Sequence, residues 1–368
     1  MSSLATNAIT DASGGNTTTI NGFTPTVSNM AGRNRIINGD MRIDQRNAGA
    51  SVTPSGSTYT LDRWRVGVGV ASGSMSFQQS TDAPSGFTNS IVCTVVTSAT
   101  PAAGDLFYLQ QNIEGYNVSD FGFGTASAKT ITVSFWVKSS VTGDKSFSLI
   151  NGALDRAYCT IYTINSANTW EYKSITIPGD ISGVWAKNQT NGLEAHWNFS
   201  IGSTFEATAN NQWESGRKYA TATTTDFISN AGATLYITGV QLEAGSVATP
   251  FEHRMYGQEL ALCQRYCEVF RQNGSDYTAI GSGYTNGTYA FVTVPYMEKR
   301  SAPTVTWNSG TVRIITATTA TGLTPSEFYN PGVRTCRIRV TTSLTYGWGC
   351  VFEFDSASGG YFTVSAEL

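Results

Sequence analysis

The eight residues ITVSFWVK, Ile131–Lys138, alternate without a break. Ile131, Val133, Phe135 and Val137 fall on one side of an extended chain, with Thr132, Ser134, Trp136 and Lys138 on the other. A period of two residues marks a strand with one face on a core and one toward solvent. Runs of the same kind lie on both sides of it. They are Arg35–Ile43, Arg63–Val70, Met75–Gln79, Ile91–Val96, Leu106–Ile113, Ala157–Thr163, Trp170–Ile177, Leu193–Ile201 and Thr234–Leu242. Gly, Asn, Ser or Pro turns separate them, and no amphipathic helix of βαβ length intervenes. Residues 34–252 therefore read as one large β-sandwich of jelly-roll type.

Composition agrees. Charged residues make up 13% of the 368, about half the usual share, whereas aromatics reach 12% and glycine supplies 37 residues. That balance disfavours helical enzymes and favours strands joined by polar turns. A net charge of −3 leaves no basic excess to neutralise phosphates, so nucleic acid is not an expected partner. With 40% hydrophobic residues the chain can bury a large core, which excludes disorder throughout. No apolar run is long enough to insert in a membrane. Met1–Ile20 lacks the basic start and apolar run of a secretory leader, so synthesis and retention in a cytoplasm are expected. The two histidines, His196 and His253, lie far apart, and the six cysteines are scattered. Neither a His-rich metal centre nor a disulfide scaffold or zinc ribbon follows from them.

Residues 1–33 are polar and rich in Gly, Thr and Asn; alone they cannot close a core. They read either as a flexible tail or as an extended arm that orders against a partner. Gly257–Gln272 (GQELALCQRYCEVFRQ) is rich in helix formers, and residues 253–272 are expected to be a linking helix. Leu260, Leu262, Cys263, Tyr266, Cys267, Val269 and Phe270 share one half of its wheel. Such a wide apolar face predicts two packing surfaces, either both domains or a neighbouring subunit. Cys263 and Cys267, one turn apart with His253 upstream, offer fewer ligands than a metal site needs and read as buried small hydrophobes. Strand patterns resume at Tyr277–Tyr284, Thr288–Pro295, Thr304–Asn308, Val312–Ala317, Thr335–Thr341, Gly349–Phe354 and Tyr361–Ser365. Residues 273–368 thus form a second, smaller β-sandwich, and the fold class is all-β.

Several segments taken together carry a resemblance. They are NRIINGDMRIDQR (34–46), YTLDRWRV (59–66), YLQQNIEG (108–115), ITVSFWVKSS (131–140), LYITGVQLEAGSVATPFEHRMYGQELALCQRYCEVF (235–270) and VPYMEKRSAPTVTW (294–307). Their order and spacing resemble bacteriophage tail-fibre and other phage surface proteins, in which a carbohydrate-binding-module-like jelly roll precedes a short helix and a C-terminal β domain. The stretch from Gly239 to Tyr266 is its most specific part. The resemblance implies a virion component, often a homotrimer, made in the host bacterial cytoplasm. Its arm, residues 1–33, would meet other virion proteins, and its β domains would meet a host-surface glycan or receptor. Jelly rolls of this kind often hold a structural Ca²⁺, for which Asp40 or Glu243 would supply oxygens; no other cofactor is expected. The resemblance transfers no ligand site.

A sugar is held by stacking its C–H face on an aromatic ring while amides bond its hydroxyls. Trp185, Trp197 and Trp213, with His196 close by in the polar stretch 180–225, are the expected glycan platform, followed by Tyr116 and Tyr158. The competing reading has these rings capping the sandwich edge or filling a subunit interface. Trp64 and Trp136, inside strands of the motif segments, are assigned to core packing. Catalysis finds no support. The carboxylates Asp40, Asp44, Asp62, Glu114, Glu194, Glu206 and Glu243 form no motif that would pair two for glycoside hydrolysis. Asp62 and Glu243 read as strand-end residues that bond backbone amides. Gly281-Ser282-Gly283 lacks the strand-to-helix setting of a nucleophile elbow. The expectation is a non-enzymatic tail-fibre or receptor-binding subunit. A capsid decoration protein or head fibre is the alternative, and a tailspike-type polysaccharide depolymerase the less favoured one.

Overall fold

The computed structural model describes residues 32–68, 73–272, 277–355 and 359–368, and the chain divides into two compact units between Arg254 and Met255. Of the expected N-terminal arm, only Gly32 and Arg33 fall within the described residues.

In the first unit the strands are β1 (Thr58–Tyr59), β2 (Arg65–Gly67), β3 (Ser74–Ser80), β4 (Ser90–Thr97), β5 (Leu106–Glu114), β6 (Ile131–Ser139), β7 (Gly143–Asn151), β8 (Arg156–Ile164), β9 (Glu171–Ile177), β10 (Asn191–Ile201), β11 (Gln212–Ser215) and β12 (Thr234–Ala244). They pair antiparallel in a seven-stranded sheet, β1-β2-β5-β10-β7-β8-β11, and a five-stranded sheet, β3-β4-β12-β6-β9. Chain neighbours repeatedly fall in different sheets, as a jelly roll requires. The inward phase of β6 meets the seven-stranded sheet directly: Phe135 packs edge-on to Trp197 of β10 at 5.7 Å, and Phe147 of β7 to the same ring at 5.0 Å. Trp64 closes the cluster at 5.4 Å from Trp197. Each such burial stabilises by about 1.5–3 kcal/mol.

The segment 35–43 is not the strand its pattern predicts. Asn38 and Met41 take left-handed backbone, φ +58° and +59°, which breaks an extended run. The Asn38 amide replaces the ladder: it donates to the Ile43 carbonyl at 2.8 Å and to Asp62 O at 3.0 Å, and accepts from Ile43 N at 2.9 Å. Gly39 has to be glycine, since a Cβ there would lie 2.2 Å from Val240 O. The same segment is tied to the last residues of the unit. Glu252 accepts from Gly32 N at 2.7 Å and Asn34 N at 2.8 Å, Asn34 Nδ2 donates to Val240 O at 2.9 Å, and Arg254 donates to Ile36 O at 3.0 Å.

Strand β7 escaped the sequence pattern because both of its faces are covered. Lys145, Ser146 and Ser148 are buried under residues 203–225. Ser146 Oγ donates to Tyr219 O at 3.0 Å and Lys145 Nζ to Thr225 O at 3.4 Å. Ser146 and Ser148 alternate with Phe147 and Leu149, yet all four are buried, so the pattern does not mark a solvent face.

The second unit opens with α1 (Tyr256–Gln264), the one α-helix among the described residues. Its strands are β13 (Cys267–Arg271), β14 (Thr278–Thr285), β15 (Tyr289–Pro295), β16 (Thr304–Ser309), β17 (Val312–Ile315), β18 (Thr319–Leu323), β19 (Pro325–Tyr329), β20 (Thr335–Thr341), β21 (Gly349–Phe354) and β22 (Tyr361–Ser365). They form a seven-stranded sheet, β18-β17-β21-β14-β15-β20-β19, and a three-stranded one, β13-β22-β16. Val292, Val294, Ile338, Val340 and Phe352 fill the core.

The helix is half the expected length. Tyr266 N donates to Cys263 O at 2.9 Å, and Lys299 Nζ caps Gln264 O at 2.7 Å, ending it there. Cys267–Arg271 then pairs with β22, and Phe270 stacks on Phe362 with centroids 4.6 Å apart. Tertiary pairing overrides local propensity. Val269 and Phe270 therefore share no helical face with Leu260 and Leu262; Cys263, Tyr266 and Cys267 are fully buried.

Candidate functional site

The outward phase of the five-stranded sheet carries an aromatic surface. On β6, Ser134, Trp136 and Lys138 point away from the core, whereas Val133, Phe135 and Val137 are fully buried. Tyr172 of β9 stands directly opposite Trp136 in the ladder, 46% exposed, with ring centroids 5.4 Å apart. Together they floor a groove of about 460 Å³ whose lining includes Ser85, Phe87, Ser134, Gly239, Phe251 and His253.

The opposite wall is three rings in mutual contact. Phe87 lies 5.2 Å from Phe251 and 5.4 Å from His253, and Phe251 lies 4.9 Å from His253. Both loops bearing them are fixed. Thr238 Oγ1 donates to Asn89 O at 2.7 Å, and Glu252 N donates to Gln241 Oε1 at 2.8 Å. Gly239 lets the wall approach the sheet: at φ +60° it has left-handed backbone, and a Cβ would lie 2.6 Å from the Phe87 ring and 3.1 Å from Trp136. A β-bulge between Thr238 and Gln241 accompanies it.

Beyond the groove the aromatic face continues along β6. The Lys138 ammonium lies 4.3 Å from the Tyr236 ring centre and 5.3 Å from that of Trp170. It also pairs with Asp82, which accepts a 3.2 Å bond from Trp170 Nε1. The hydrogen bond from Lys138 holds the Asp82 carboxyl below the usual range, against a weaker opposing effect of burial. The surface thus offers ring faces, amides and hydroxyls with its charges already paired.

The residues singled out in the sequence fall elsewhere. Trp197 is fully buried in the core and presents no ring face to a ligand. His196, also fully buried, lies between Tyr108 at 4.9 Å and Tyr219 at 4.8 Å and donates from Nε2 to Glu194 at 2.9 Å. Burial holds its imidazole below the usual value, with Glu194 opposing. Trp185 and Trp213 meet at 5.5 Å and Tyr158 lies 5.4 Å from Trp213, in a cluster that Phe123 joins. The indoles donate to Ser182 O at 3.1 Å and Pro178 O at 2.7 Å. This is an aromatic cap on the sandwich edge, and the space beside it is about 10 Å³. Tyr116 is 57% exposed and belongs to neither cluster.

Trp136, assigned to the core from sequence, is the floor of the groove. Its phase along β6 was the signal, since it alternates with the core residues and keeps company with Ser134 and Lys138. Trp64 is a core residue as expected. Glu243 and Asp62 bond as strand-end carboxylates: Glu243 accepts from Thr249 N at 2.9 Å, and Asp62 from Gln45 N at 2.6 Å. Asp40 pairs with Arg42, and no group of three or more metal-ligating side chains occurs among the described residues. No described helix is long and apolar enough to cross a membrane.

No known protein family matches the sequence, and no curated protein does. Among solved structures, the chain is similar to the enzymatically active domain of tailspike protein 4 from bacteriophage CBA120, at 14% identity and a TM-score of 0.31. That match covers 57% of this chain and 21% of the tailspike chain, so this chain spans about a fifth of it. It is also similar to a family 11 carbohydrate-binding module from Clostridium thermocellum, solved with a β-1,3-1,4-mixed-linked tetrasaccharide (13% identity, 54% of this chain, 97% of that chain, TM-score 0.26). A third likeness is to the N-terminal CBM22-1–CBM22-2 tandem domain of Xyn10C from Paenibacillus barcinonensis (10% identity, 87% and 97%, TM-score 0.25).

Proposed function

We propose that the chain is a non-enzymatic glycan-binding subunit of a phage virion surface, acting as a tail-fibre or receptor-binding protein. The observation that carries glycan binding is the groove over Trp136 and Tyr172, a partly exposed aromatic floor facing a wall of fixed rings. Its shape and chemistry suit a neutral sugar: ring faces for C–H stacking, Ser85 for hydroxyls, and paired charges at its margin. Its lining includes no carboxylate, which favours binding over hydrolysis. The virion assignment rests on the motif resemblance. Two of the segments that carry it, 131–140 and 235–270, supply Trp136, Gly239, Phe251 and His253 to this groove.

The test is calorimetric titration with neutral host-surface oligosaccharides selected on a glycan array. Trp136→Ala should weaken binding by about 1–2 kcal/mol, roughly tenfold, with a modest fall in melting temperature because the ring also packs on Tyr172. Unchanged affinity in that variant would remove the groove as the site.

A further inference from the structure

The second unit carries a different surface, independent of the groove. In its seven-stranded sheet Cys336, Ile338 and Val340 of β20 face the core, which turns Arg337 and Arg339 outward. The register places Arg337 opposite Thr293 and Tyr329, and Arg339 opposite Phe291 and Glu327. Tyr284 of β14 stands on the other side of Phe291, with ring centroids 5.4 Å apart and near-parallel planes. The outer face thus holds Tyr284, Phe291 and Arg339 in one cross-strand row and Arg337 in the next, about 7 Å away along the strands.

The two arginines differ. Arg339 is engaged, 2.5 Å from Glu327 and 4.5 Å from the Tyr289 ring centre. Arg337 is exposed and makes no ion pair or hydrogen bond with another described residue. Its planar donor fork has no partner among the described residues and stands one row from the Tyr284 and Phe291 rings.

We propose that this face binds a carboxylated polysaccharide, with Arg337 gripping the sugar carboxylate and Tyr284 and Phe291 stacking on the neighbouring ring. A guanidinium pairs with a carboxylate through two parallel hydrogen bonds, and the aromatic row takes the apolar side of the pyranose. The positive charge, without an ion-pair partner among the described residues, selects an acidic glycan over a neutral one. It also distinguishes this face from the groove, whose marginal charges are paired.

The test is affinity electrophoresis and calorimetry of the full chain with α-2,8-linked polysialic acid, with dextran as neutral control, at about 0.15 M salt. Polysialic acid should bind and dextran should not bind here. Arg337→Gln and Tyr284→Ser should each weaken polysialic acid binding about tenfold, while Trp136→Ala leaves it unchanged. Loss in Trp136→Ala with Arg337→Gln unaffected would move acidic-glycan binding to the groove and overturn the proposal. So would loss in Arg337→Gln alone, which would be plain charge attraction, or no binding by the wild type. Sedimentation decides the remaining occupant: an oligomer that Tyr284→Ser converts to monomer would make the face a self-contact instead.

Discussion

Wholly buried between Tyr108 and Tyr219, the His196 ring has no surface on which to hydrate a positive charge. Burial depresses its folded-state pKa; the Glu194 hydrogen bond works against this without reversing it. The unfolded chain therefore takes up a proton as pH falls through about 6.5, whereas the folded protein does so only at lower pH. Stability contributed here is complete above about pH 6.5 and drains away below it. Denaturant midpoints measured from about pH 7.5 down to about pH 5 should fall for the wild type and flatten in His196→Gln. Parallel profiles would assign the acid sensitivity to another group. The placement of His196 was not legible in the sequence, because its cover is an irregular stretch after β10, with Tyr219, that has no periodicity. Trp136 was legible in principle. Residue type suggested a core position, while strand phase gave the solvent side, and phase is the stronger guide where one face is buried.

At the scale of elements, strands with one wet face declared themselves: β20, β21 and β22 have the bounds their alternation predicts. Strands covered on both faces, such as β7, and short Thr/Gly-rich ones, such as β18, did not. Irregular but rigid backbone was least legible of all, since the motif at 34–46 is held by side-chain amides rather than by a ladder. The turn from α1 into β13 has an identifiable fastener. Lys299 is buried and donates to Gln264 O at 2.7 Å, to Glu268 at 2.8 Å and to Met297 O at 3.0 Å. Burial lowers its pKa, with Glu268 opposing, yet three acceptors surround the ammonium. Lys299→Met leaves the Glu268 charge and two carbonyls short of a donor, and should cost about 3 kcal/mol. Guanidinium titration reads this directly; a loss below about 1 kcal/mol would show that the pair is effectively solvated.

For the whole molecule, composition correctly announced an all-β chain, and turn spacing announced two sandwiches, whereas the binding surfaces required coordinates. Each surface gathers residues remote in sequence: Phe87, Trp136, Tyr172 and Phe251 in the first unit, and Tyr284, Phe291 and Arg337 in the second. The motif resemblance implies a homotrimer joined to the particle through its N-terminal residues. A chain beginning at Gly32 should keep the melting temperature and three-chain mass of the full protein and yet fail to enter particles. Monomers at micromolar concentration would remove the trimer; particles that carry the shortened chain would remove the attachment role.

The bonds between residues 32–36 and 240–254 also define a mechanical circuit. The first described residues and the last residues of the first unit meet at one place, where Glu252 holds Gly32 and Asn34, and Arg254 holds Ile36. Tension applied between Gly32 and Arg254 would run through this clasp rather than through the sheets. The sandwich hangs from it as a side load, so a pull on the chain would leave the sheets unloaded until the clasp itself parts.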